Sequence, residues 1–232
     1  MSVIVITGGS RGIGASAAQH IAQRGMGVIL TYNNNPESAA EVAGIIEQAG
    51  GKAVALKLDV ANVGSFEAFR ETVLMTLQER WGTSSLGGLV NNAGYGLFNV
   101  HFKGPFFLTQ ALLPLLEENA SIVNLTSATT RVATAGVAPY ASFKGGLEVL
   151  TRYMAKEFGE RRIRANAVSP GAIRTELGGG LNDEFEALLA AQTALGRVGE
   201  PEDVARIIAM LLSEDGAWIN AQTIEVAGGY NI

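Results

Sequence analysis

The 232-residue sequence contains no cysteine and only two histidines, His20 and His101. The lack of cysteine excludes disulfides, thiol catalysis and zinc–thiolate sites. Two histidines so far apart are too few for a histidine-built metal site, so we predict no metal. Lysine and arginine form no block and the net charge is −5, which argues against nucleic acid or an anionic membrane as the main partner.

Long hydrophobic runs are also absent. The first apolar run, Val3–Ile6, ends in a glycine turn and is too short for a signal sequence or a membrane span. No other run approaches the ~20 residues that a span needs. The composition, 47% hydrophobic and 17% charged, is that of a globular protein. We therefore expect a soluble, cytoplasmic protein.

Short apolar runs rich in β-branched residues alternate with longer helical patterns along the chain. Runs that are apolar on both faces are typical of parallel strands covered by helices. The alternation predicts an α/β fold: one domain over residues 1–232, with a Rossmann-like, doubly wound parallel sheet of about seven strands and helices on both faces. The predicted strands are Ser2–Thr7, Gly27–Tyr32, Ala53–Leu58, Leu89–Asn91, Ser121–Leu125, Ile163–Val168 and Gln222–Val226. The predicted helices are Ile13–Arg24, Pro36–Ala49, Ser65–Trp81, Lys103–Leu116, Ala138–Phe158 and Glu202–Leu212.

A glycine-rich turn joins the first predicted strand to the first predicted helix, with the sequence Thr7-Gly8-Gly9-Ser10-Arg11-Gly12-Ile13-Gly14. Glycines let the backbone approach a pyrophosphate, whose charge a helix N-terminus stabilises. A turn of this kind without a ligand is the alternative. We predict cofactor contacts from Gly8, Ser10, Arg11, Gly12, Ile13 and Gly14.

The end of the second predicted strand indicates which dinucleotide is bound. An NAD site usually has an acidic residue here, which bonds the ribose 2′-hydroxyl and would repel a 2′-phosphate. Tyr32 stands at that position and Asn33 and Asn34 follow it. Arg11 could meet a 2′-phosphate and the asparagine amides could donate to it. The sequence therefore favours NADP(H) over NAD(H).

Tyr140 and Lys144 are four residues apart and share one face of a predicted helix. A tyrosine near its reference pKa of ~10 is a poor base at neutral pH. A lysine one turn away, together with the positive charge of an oxidised nicotinamide, would lower that pKa. The alternative is an exposed aromatic residue beside a solvated lysine.

These features occur at the spacing of a known family. The matching segments are Thr7–Gly14, Asp59-Val60, Asn91-Asn92-Ala93-Gly94, Ile122–Ser127, Tyr140 with Lys144, Asn166, and Ser169-Pro170-Gly171. Ser127 lies thirteen residues before Tyr140, as the catalytic serine of that family does. The chain resembles the classical short-chain dehydrogenases/reductases along nearly its whole length.

The resemblance implies an oxidoreductase that transfers a hydride between NADP(H) and a carbonyl or secondary alcohol, the carbonyl being a ketone, an aldehyde or a 3-oxo compound. Tyr140 would be the general acid/base. Lys144 would lower the pKa of Tyr140 and hold the nicotinamide ribose, and Ser127 would hydrogen-bond the substrate oxygen. The alternative is a non-catalytic dinucleotide-binding sensor or regulator with the same fold.

The same resemblance implies further contacts. Asp59 and Val60 would contact the adenine, Asn91, Ala93 and Gly94 the adenosine side, and Pro170, Gly171, Ile173 and Thr175 the nicotinamide carboxamide. The segment from about residue 172 to 192 would cover an apolar or weakly polar substrate. The residues expected near the substrate are Tyr95, Leu97, Phe98, Thr129, Val137, Leu177, Leu181, Phe185, Leu188 and Leu189. A carrier-bound 3-oxoacyl thioester would need a basic patch, for which Arg131 is the one candidate.

The sequence departs from the family pattern in two places. His101 stands where the family has a fourth catalytic residue, an asparagine; its imidazole could serve the same water relay to Lys144, or it could simply pack. Six residues separate Gly94 from His101, fewer than in the family, and Gly178–Asn182 is also short. Either the pocket is open there or residues are missing from the sequence, and we favour the second because six residues cannot easily cross the sheet edge.

The resemblance also implies an oligomer. The helical segments Phe106–Leu116 and Val149–Phe158 carry more apolar surface than one sheet face needs, and the family uses them in a four-helix interface. The C-terminal stretch Trp218–Ile232 would form a second interface. We therefore expect a homotetramer, with a dimer as the alternative.

Overall fold

In the computed structural model, which describes residues 1–95, 98–176 and 180–232, seven strands form one sheet in the order β3-β2-β1-β4-β5-β6-β7. All neighbouring strands are parallel. The strands are β1 (Val3–Ile6), β2 (Gly27–Tyr32), β3 (Ala53–Lys57), β4 (Leu86–Asn91), β5 (Leu116–Leu125), β6 (Arg164–Pro170) and β7 (Thr223–Val226). The predicted doubly wound sheet of about seven strands is confirmed.

Helices cover both faces of the sheet. They are α1 (Gly12–Gln23), α2 (Pro36–Gln48), α3 (Phe66–Trp81), α4 (Gly104–Leu112), α5 (Ala138–Glu157), α6 (Asp183–Ala191) and α7 (Pro201–Leu212). Buried side chains of α3, α4 and α5 form one core with the sheet, and those of α1, α2 and α7 form the other. None of the described helices is both long enough and apolar enough to cross a membrane.

The predicted helix Lys103–Leu116 is wrong at both ends. A π-helical turn, Asn99–Lys103, precedes α4, and α4 ends at Leu112 in a 3₁₀ turn that contains Pro114. Proline lacks the N–H that a continuing helix requires, and Leu116 already belongs to β5. β4 and β5 both begin earlier than predicted, because Leu86 pairs with Leu116.

Helix α6 lies inside the segment that we expected to cover the substrate, but its helical form was not predicted. The side chain of Asn182 accepts a hydrogen bond of 2.8 Å from the backbone N–H of Phe185, and three acidic residues occupy the first turn. An asparagine cap followed by acidic residues favours a helix start. The signal was therefore present in the sequence.

A short connection follows β4. β4 ends at Asn91 and the π-helical turn begins at Asn99. The backbone N–H groups of Asn92 and Ala93 donate hydrogen bonds to the hydroxyl of Thr7, which directly follows β1. Residues 96 and 97 of this connection lie outside the described residues, so the expectation that residues are missing from the sequence here stays a prediction.

Candidate active site

A cavity of about 1010 Å³ lies at the carboxyl ends of the strands, where the chain order reverses between β1 and β4. Ligands of doubly wound sheets bind at such switch points. The predicted site residues that line it are Gly8, Ser10, Arg11, Gly12, Ile13, Gly14, Tyr32, Asn33, Asn34, Val60, Ala93, Gly94, Tyr95, His101, Ser127, Tyr140, Lys144, Pro170, Gly171, Ile173, Thr175 and Leu181. Most of the candidate site therefore meets in one cavity.

The glycine turn at one end of this cavity fits a pyrophosphate. Gly8 has φ +65°, and a Cβ on it would lie 2.9 Å from the Cα of Ala93. A Cβ on Gly14 would lie 2.2 Å from the carbonyl oxygen of Gly8. Helix α1 begins at Gly12, so its first N–H groups have no partner within the helix. The glycine turn therefore presents backbone N–H groups to the cavity, and such groups can bind an anion.

The position for the adenosine ribose has no acidic residue from β2. Tyr32, Asn33 and Asn34 line the cavity there. Arg11 lies beside them and forms a 2.9 Å ion pair with Glu176, whose side chain also lines the cavity. Glu176 was not predicted, because nothing in the sequence relates a residue after β6 to the glycine turn.

The carboxylate of Asp59 is not in this cavity, contrary to the adenine contact expected of it. It accepts a 2.9 Å hydrogen bond from the backbone N–H of Ala61 and another from the hydroxyl of Tyr95. Tyr95 also accepts from the amide of Asn33 at 3.2 Å. Tyr95 therefore lies at the nucleoside end of the cavity and not beside the substrate. Burial, followed by the hydrogen bond to Asp59, raises its pKa to about 12.

Asn91 also differs from its expected role. Its side chain is buried, and its amide donates to Asn124 at 2.8 Å and to Thr109 at 3.2 Å. The neighbouring Asn92 lines the cavity instead, and its amide donates to the carbonyl oxygens of Thr7 and Gly8 at 2.8 and 3.0 Å. Asn91 therefore stabilises the core, while Asn92 holds the glycine turn.

Ser127 follows the carboxyl end of β5 in extended backbone and begins a 3₁₀ turn over Ala128–Thr130. Its hydroxyl oxygen accepts two hydrogen bonds from Thr129, one of 3.3 Å from the backbone N–H and one of 3.0 Å from the hydroxyl. Ser127 also lies close enough to Tyr140 for its hydroxyl to lower the pKa of the tyrosine. The hydroxyls of both residues line the same cavity.

Burial raises the pKa of Tyr140, and the hydrogen bond from Ser127 opposes that shift. The sequence predicted instead that the charge of Lys144 would lower the pKa of Tyr140. Burial, however, lowers the pKa of Lys144 itself to about 7. The amine is then largely neutral in the pH range where a tyrosine ionises. In the protein alone, Lys144 therefore provides little charge with which to stabilise a phenolate.

Lys144 is only 5% exposed and still reaches the cavity. Its Nζ donates a 2.6 Å hydrogen bond to the carbonyl oxygen of Leu125 and lies 5.7 Å from the ring centroid of Tyr140. The alternative that Lys144 is a solvated surface lysine is therefore excluded. It is a buried donor, positioned by the end of β5.

His101 lies in the π-helical turn before α4 and is 4% exposed. Its ring packs edge-on against that of Tyr140, with centroids 4.9 Å apart and planes at 90°. π-Helical turns inside helices are frequent at functional sites. The structure therefore brings His101 to the predicted catalytic tyrosine.

Several residues expected near the substrate are elsewhere. Phe98, Thr129, Val137, Phe185, Leu188 and Leu189 do not line the cavity, and Leu97 and Leu177 lie outside the described residues. Sequence reasoning missed Asn35, Ser38, Leu58, Asn92, Leu125, Thr126, Ala172, Arg174, Glu176 and Pro201, which do line it. Most of these adjoin a predicted residue, so proximity in sequence was the available signal.

Arg131, the candidate for a carrier's phosphate, is already engaged. Its Nη2 pairs with Glu225 at 2.5 Å, and its guanidinium donates to the backbone carbonyl oxygens of Tyr230 and Asn231 at 2.7 and 2.9 Å. A phosphate would have to displace these partners. The structure thus gives no support to Arg131 as a phosphate site.

Comparison with known proteins agrees with this geometry. A family model described as enoyl-(acyl carrier protein) reductase matches residues 8–231. An uncharacterized oxidoreductase of Methylorubrum extorquens is 36% identical, covering 98% of this chain and 96% of that protein. A 3-oxoacyl-[acyl-carrier-protein] reductase of Staphylococcus aureus is 32% identical, covering 97% and 96%. The structure of the angucycline C-6 ketoreductase LanV with bound NADP is 33% identical, with a TM-score of 0.94 and coverage of 99% and 95%.

Fold and site together define an oxidoreductase of the kind that uses a nicotinamide dinucleotide. The chain belongs to the classical short-chain dehydrogenase/reductase family, as the sequence motifs indicate.

The buried Lys144 predicts how stability changes with pH. The pKa of Lys144 is about 7 in the folded protein and ~10.4 in the unfolded chain. Below pH 7 the buried ammonium lowers the free energy of unfolding by its full amount. This destabilisation decreases as the pH rises from 7 toward 10.4. Lys144→Met should therefore be more stable than wild type by a margin that shrinks from pH 6.5 to 9.5, by up to about 1.4 kcal/mol per pH unit. Urea unfolding at several pH values measures the margin.

Lys156→Met is the matched control, because Lys156 is an exposed lysine on the same helix. A margin for Lys144→Met that stays constant across this pH range would contradict the prediction.

Proposed function

We propose that this protein is an NADP(H)-dependent carbonyl reductase in which Tyr140 is the general acid/base. The observation that carries the proposal is that Ser127, Tyr140 and Lys144 line the same cavity as the glycine turn. Ser127 lies close enough to Tyr140 to lower its pKa, so the two hydroxyls can contact one substrate oxygen. The cavity thus combines a place for a dinucleotide with a proton donor for a carbonyl.

In this mechanism a nicotinamide dinucleotide supplies or accepts the hydride. Ser127 donates a hydrogen bond to the substrate oxygen and stabilises its developing negative charge. Tyr140 gives its proton to that oxygen during reduction, and takes the proton back during oxidation. The raised pKa of Tyr140 keeps the phenol protonated, which suits the reductive direction.

Lys144 and His101 complete the proton path in this proposal. The amine of Lys144, with a pKa of about 7, can gain and lose a proton near neutral pH. The imidazole of His101 packs against Tyr140 and has both a donor and an acceptor nitrogen. We infer that His101 takes the place of the family asparagine in a water relay to Lys144.

The preference for NADP(H) is supported by the residues at the nucleoside end. The end of β2 presents Tyr32, Asn33 and Asn34 to the cavity without a carboxylate that would repel a 2′-phosphate. Arg11 lies at the same end, paired with an exposed glutamate that a phosphate could replace. The structurally similar ketoreductase LanV holds NADP.

The proposed substrate is a ketone without a carrier. The angucycline ketoreductase and a probable tetrahydroxynaphthalene reductase are named for ring compounds, whereas the Staphylococcus aureus relative is named for a carrier-bound 3-oxoacyl group. Arg131 is engaged by Glu225 and the C-terminal backbone. This favours the ketone over the carrier-bound thioester.

The alternative is a non-catalytic dinucleotide sensor. A sensor would not require a tyrosine, a serine and a buried lysine together in the cavity. A sensor could use the buried lysine to hold the nicotinamide ribose, but it needs no proton donor, whereas Ser127 and Tyr140 place two hydroxyls in the cavity. Catalysis is therefore favoured.

Tyr140→Phe should reduce the rate of NADPH-dependent ketone reduction by ~10²- to 10⁴-fold, because it removes only the proton donor. Initial rates on cyclic ketones, a 3-oxoacyl thioester and an enoyl thioester measure the loss and separate C=O from C=C reduction. NADPH binding, followed by fluorescence, should be retained. Tyr153→Phe, the same change at an exposed tyrosine of α5, is the control. Equal rates for Tyr140→Phe and wild type would refute the mechanism.

Tyr32→Asp should reverse the cofactor preference. A carboxylate at this position would repel the 2′-phosphate of NADPH and accept a hydrogen bond from the ribose of NADH. We expect kcat/KM with NADPH to fall by about tenfold or more, while kcat/KM with NADH rises. Tyr32→Asn removes the ring without adding charge and is the matched control. A wild-type enzyme that works faster with NADH would overturn the proposed preference.

We further propose that the protein forms a homotetramer or dimer. Phe106 on α4 and Val149 and Tyr153 on α5 are 40%, 46% and 63% exposed. Trp218 and Ile232 are almost fully exposed near the C-terminus. Large exposed apolar side chains of this kind indicate surfaces that become covered in an assembly.

Light scattering at micromolar concentration should give about four times the monomer mass, or twice that mass for a dimer. Val149→Glu should lower it, because a charge would be buried in the α5 interface. Glu41→Gln, a change on an exposed part of α2, is the control. A monomeric mass for the wild type would exclude the proposal.

A further inference from the structure

Thr129 was expected to line the substrate pocket, and the structure places it behind the catalytic serine instead. Both of its donors are directed to the same atom. Its hydroxyl donates to the Oγ of Ser127 at 3.0 Å, and its backbone N–H donates to that oxygen at 3.3 Å. Thr129 does not line the cavity, so no direct contact with a ligand is argued for it.

These two hydrogen bonds determine what the hydroxyl of Ser127 can do. A serine hydroxyl has one proton to donate and two lone pairs with which to accept. Thr129 occupies both acceptor positions. The proton of Ser127 is then left to donate to another group, such as an oxygen bound in the cavity that Ser127 and Tyr140 both line.

We propose that Thr129 is a positioning residue for the reduction, which orients the hydroxyl of Ser127 so that its proton is directed at the substrate oxygen. Hydrogen bonds in a chain polarise one another, so a hydroxyl that accepts two bonds is a better donor. Ser127 thereby stabilises the developing alkoxide more strongly than an unsupported serine would. The inference rests on the proposed function, because it concerns how Ser127 acts in it.

The turn that carries Thr129 is held on both sides. The hydroxyl of Thr130 lies 2.9 Å from the carbonyl oxygen of Ser127 and 2.8 Å from a carboxylate oxygen of Glu148. Glu148 is one turn beyond Lys144 on α5, so the turn and the catalytic helix are connected. Arg131 then joins the turn to Glu225 and to the C-terminal backbone. The turn that carries Thr129 is therefore held by the side chains of the two residues that follow it.

The variants Thr129→Val and Thr129→Ser test the hydroxyl alone. Valine has a similar shape but no donor, whereas serine keeps the donor. Thr129→Val should lower kcat by about tenfold, the effect of one hydrogen bond that matters in the transition state. KM for the ketone and the Kd for NADPH should change less than twofold, and Thr129→Ser should retain at least half of the wild-type kcat. Thr134→Val is the matched control, because the Thr134 hydroxyl is exposed in the same loop and is directed at Val132.

A double-mutant cycle with Ser127→Ala separates positioning from a general structural effect. If Thr129 acts through Ser127, then Thr129→Val should have no further effect in the Ser127→Ala enzyme, as measured by single-turnover rates. The same tenfold loss in both backgrounds would overturn the inference. So would a full kcat for Thr129→Val, a loss confined to KM, or a failure of serine to restore the rate. Full activity of Ser127→Ala or Tyr140→Phe would instead overturn the proposed function itself.

Discussion

The site depends on how the turn after β1 is joined to the turn after β4. The hydroxyl of Thr7 accepts from the backbone N–H groups of Asn92 and Ala93, both at 3.0 Å. The amide of Asn92 donates back to the carbonyl oxygens of Thr7 and Gly8. The approach is so close that a side chain on Gly8 or Gly14 would overlap backbone. This contact forms the cavity floor, because β1 and β4 are the two strands between which the chain order reverses.

The chemistry at the other end of the cavity depends on burial. Lys144 and His101 are almost fully buried around the ring of Tyr140. Burial favours the neutral forms of the phenol and of the amine, so the pKa of Tyr140 rises while that of Lys144 falls, and the two values move apart. Groups with such perturbed pKa values, placed together in a cleft, are typical of proton transfer. The two hydrogen bonds from Thr129 polarise the hydroxyl of Ser127 beside these groups.

Much of this arrangement could be predicted from the sequence, because its motifs follow strand ends. A motif identifies the end of a strand, and all carboxyl ends of a parallel sheet meet at one edge. It does not identify which of two adjacent side chains faces the cavity, since successive side chains of a strand alternate between the two faces. Asn91 and Asp59 do not line the cavity, whereas their neighbours Asn92 and Val60 do.

Other differences come from contacts between segments distant in sequence. Arg131 contacts Glu225 and the last residues of the chain, and Arg11 contacts Glu176. No spacing rule relates such pairs, so neither could be foreseen. Thr129 was misassigned because proximity to a catalytic serine is equally consistent with contacting the substrate and with supporting the serine.

The two sides of the site differ in how firmly they are held. Ser127, Tyr140 and Lys144 are set by the end of β5 and by α5, against a buried core. Helix α6, over the expected substrate side, is held by Arg174, which pairs with Glu186 and with Glu200 on exposed surface, and by backbone bonds from residues 192–195 to the C-terminal segment. Exposed ion pairs contribute little stability. Substitutions around α6 can therefore change the shape of the substrate site while the hydroxyl pair and the buried lysine stay in place.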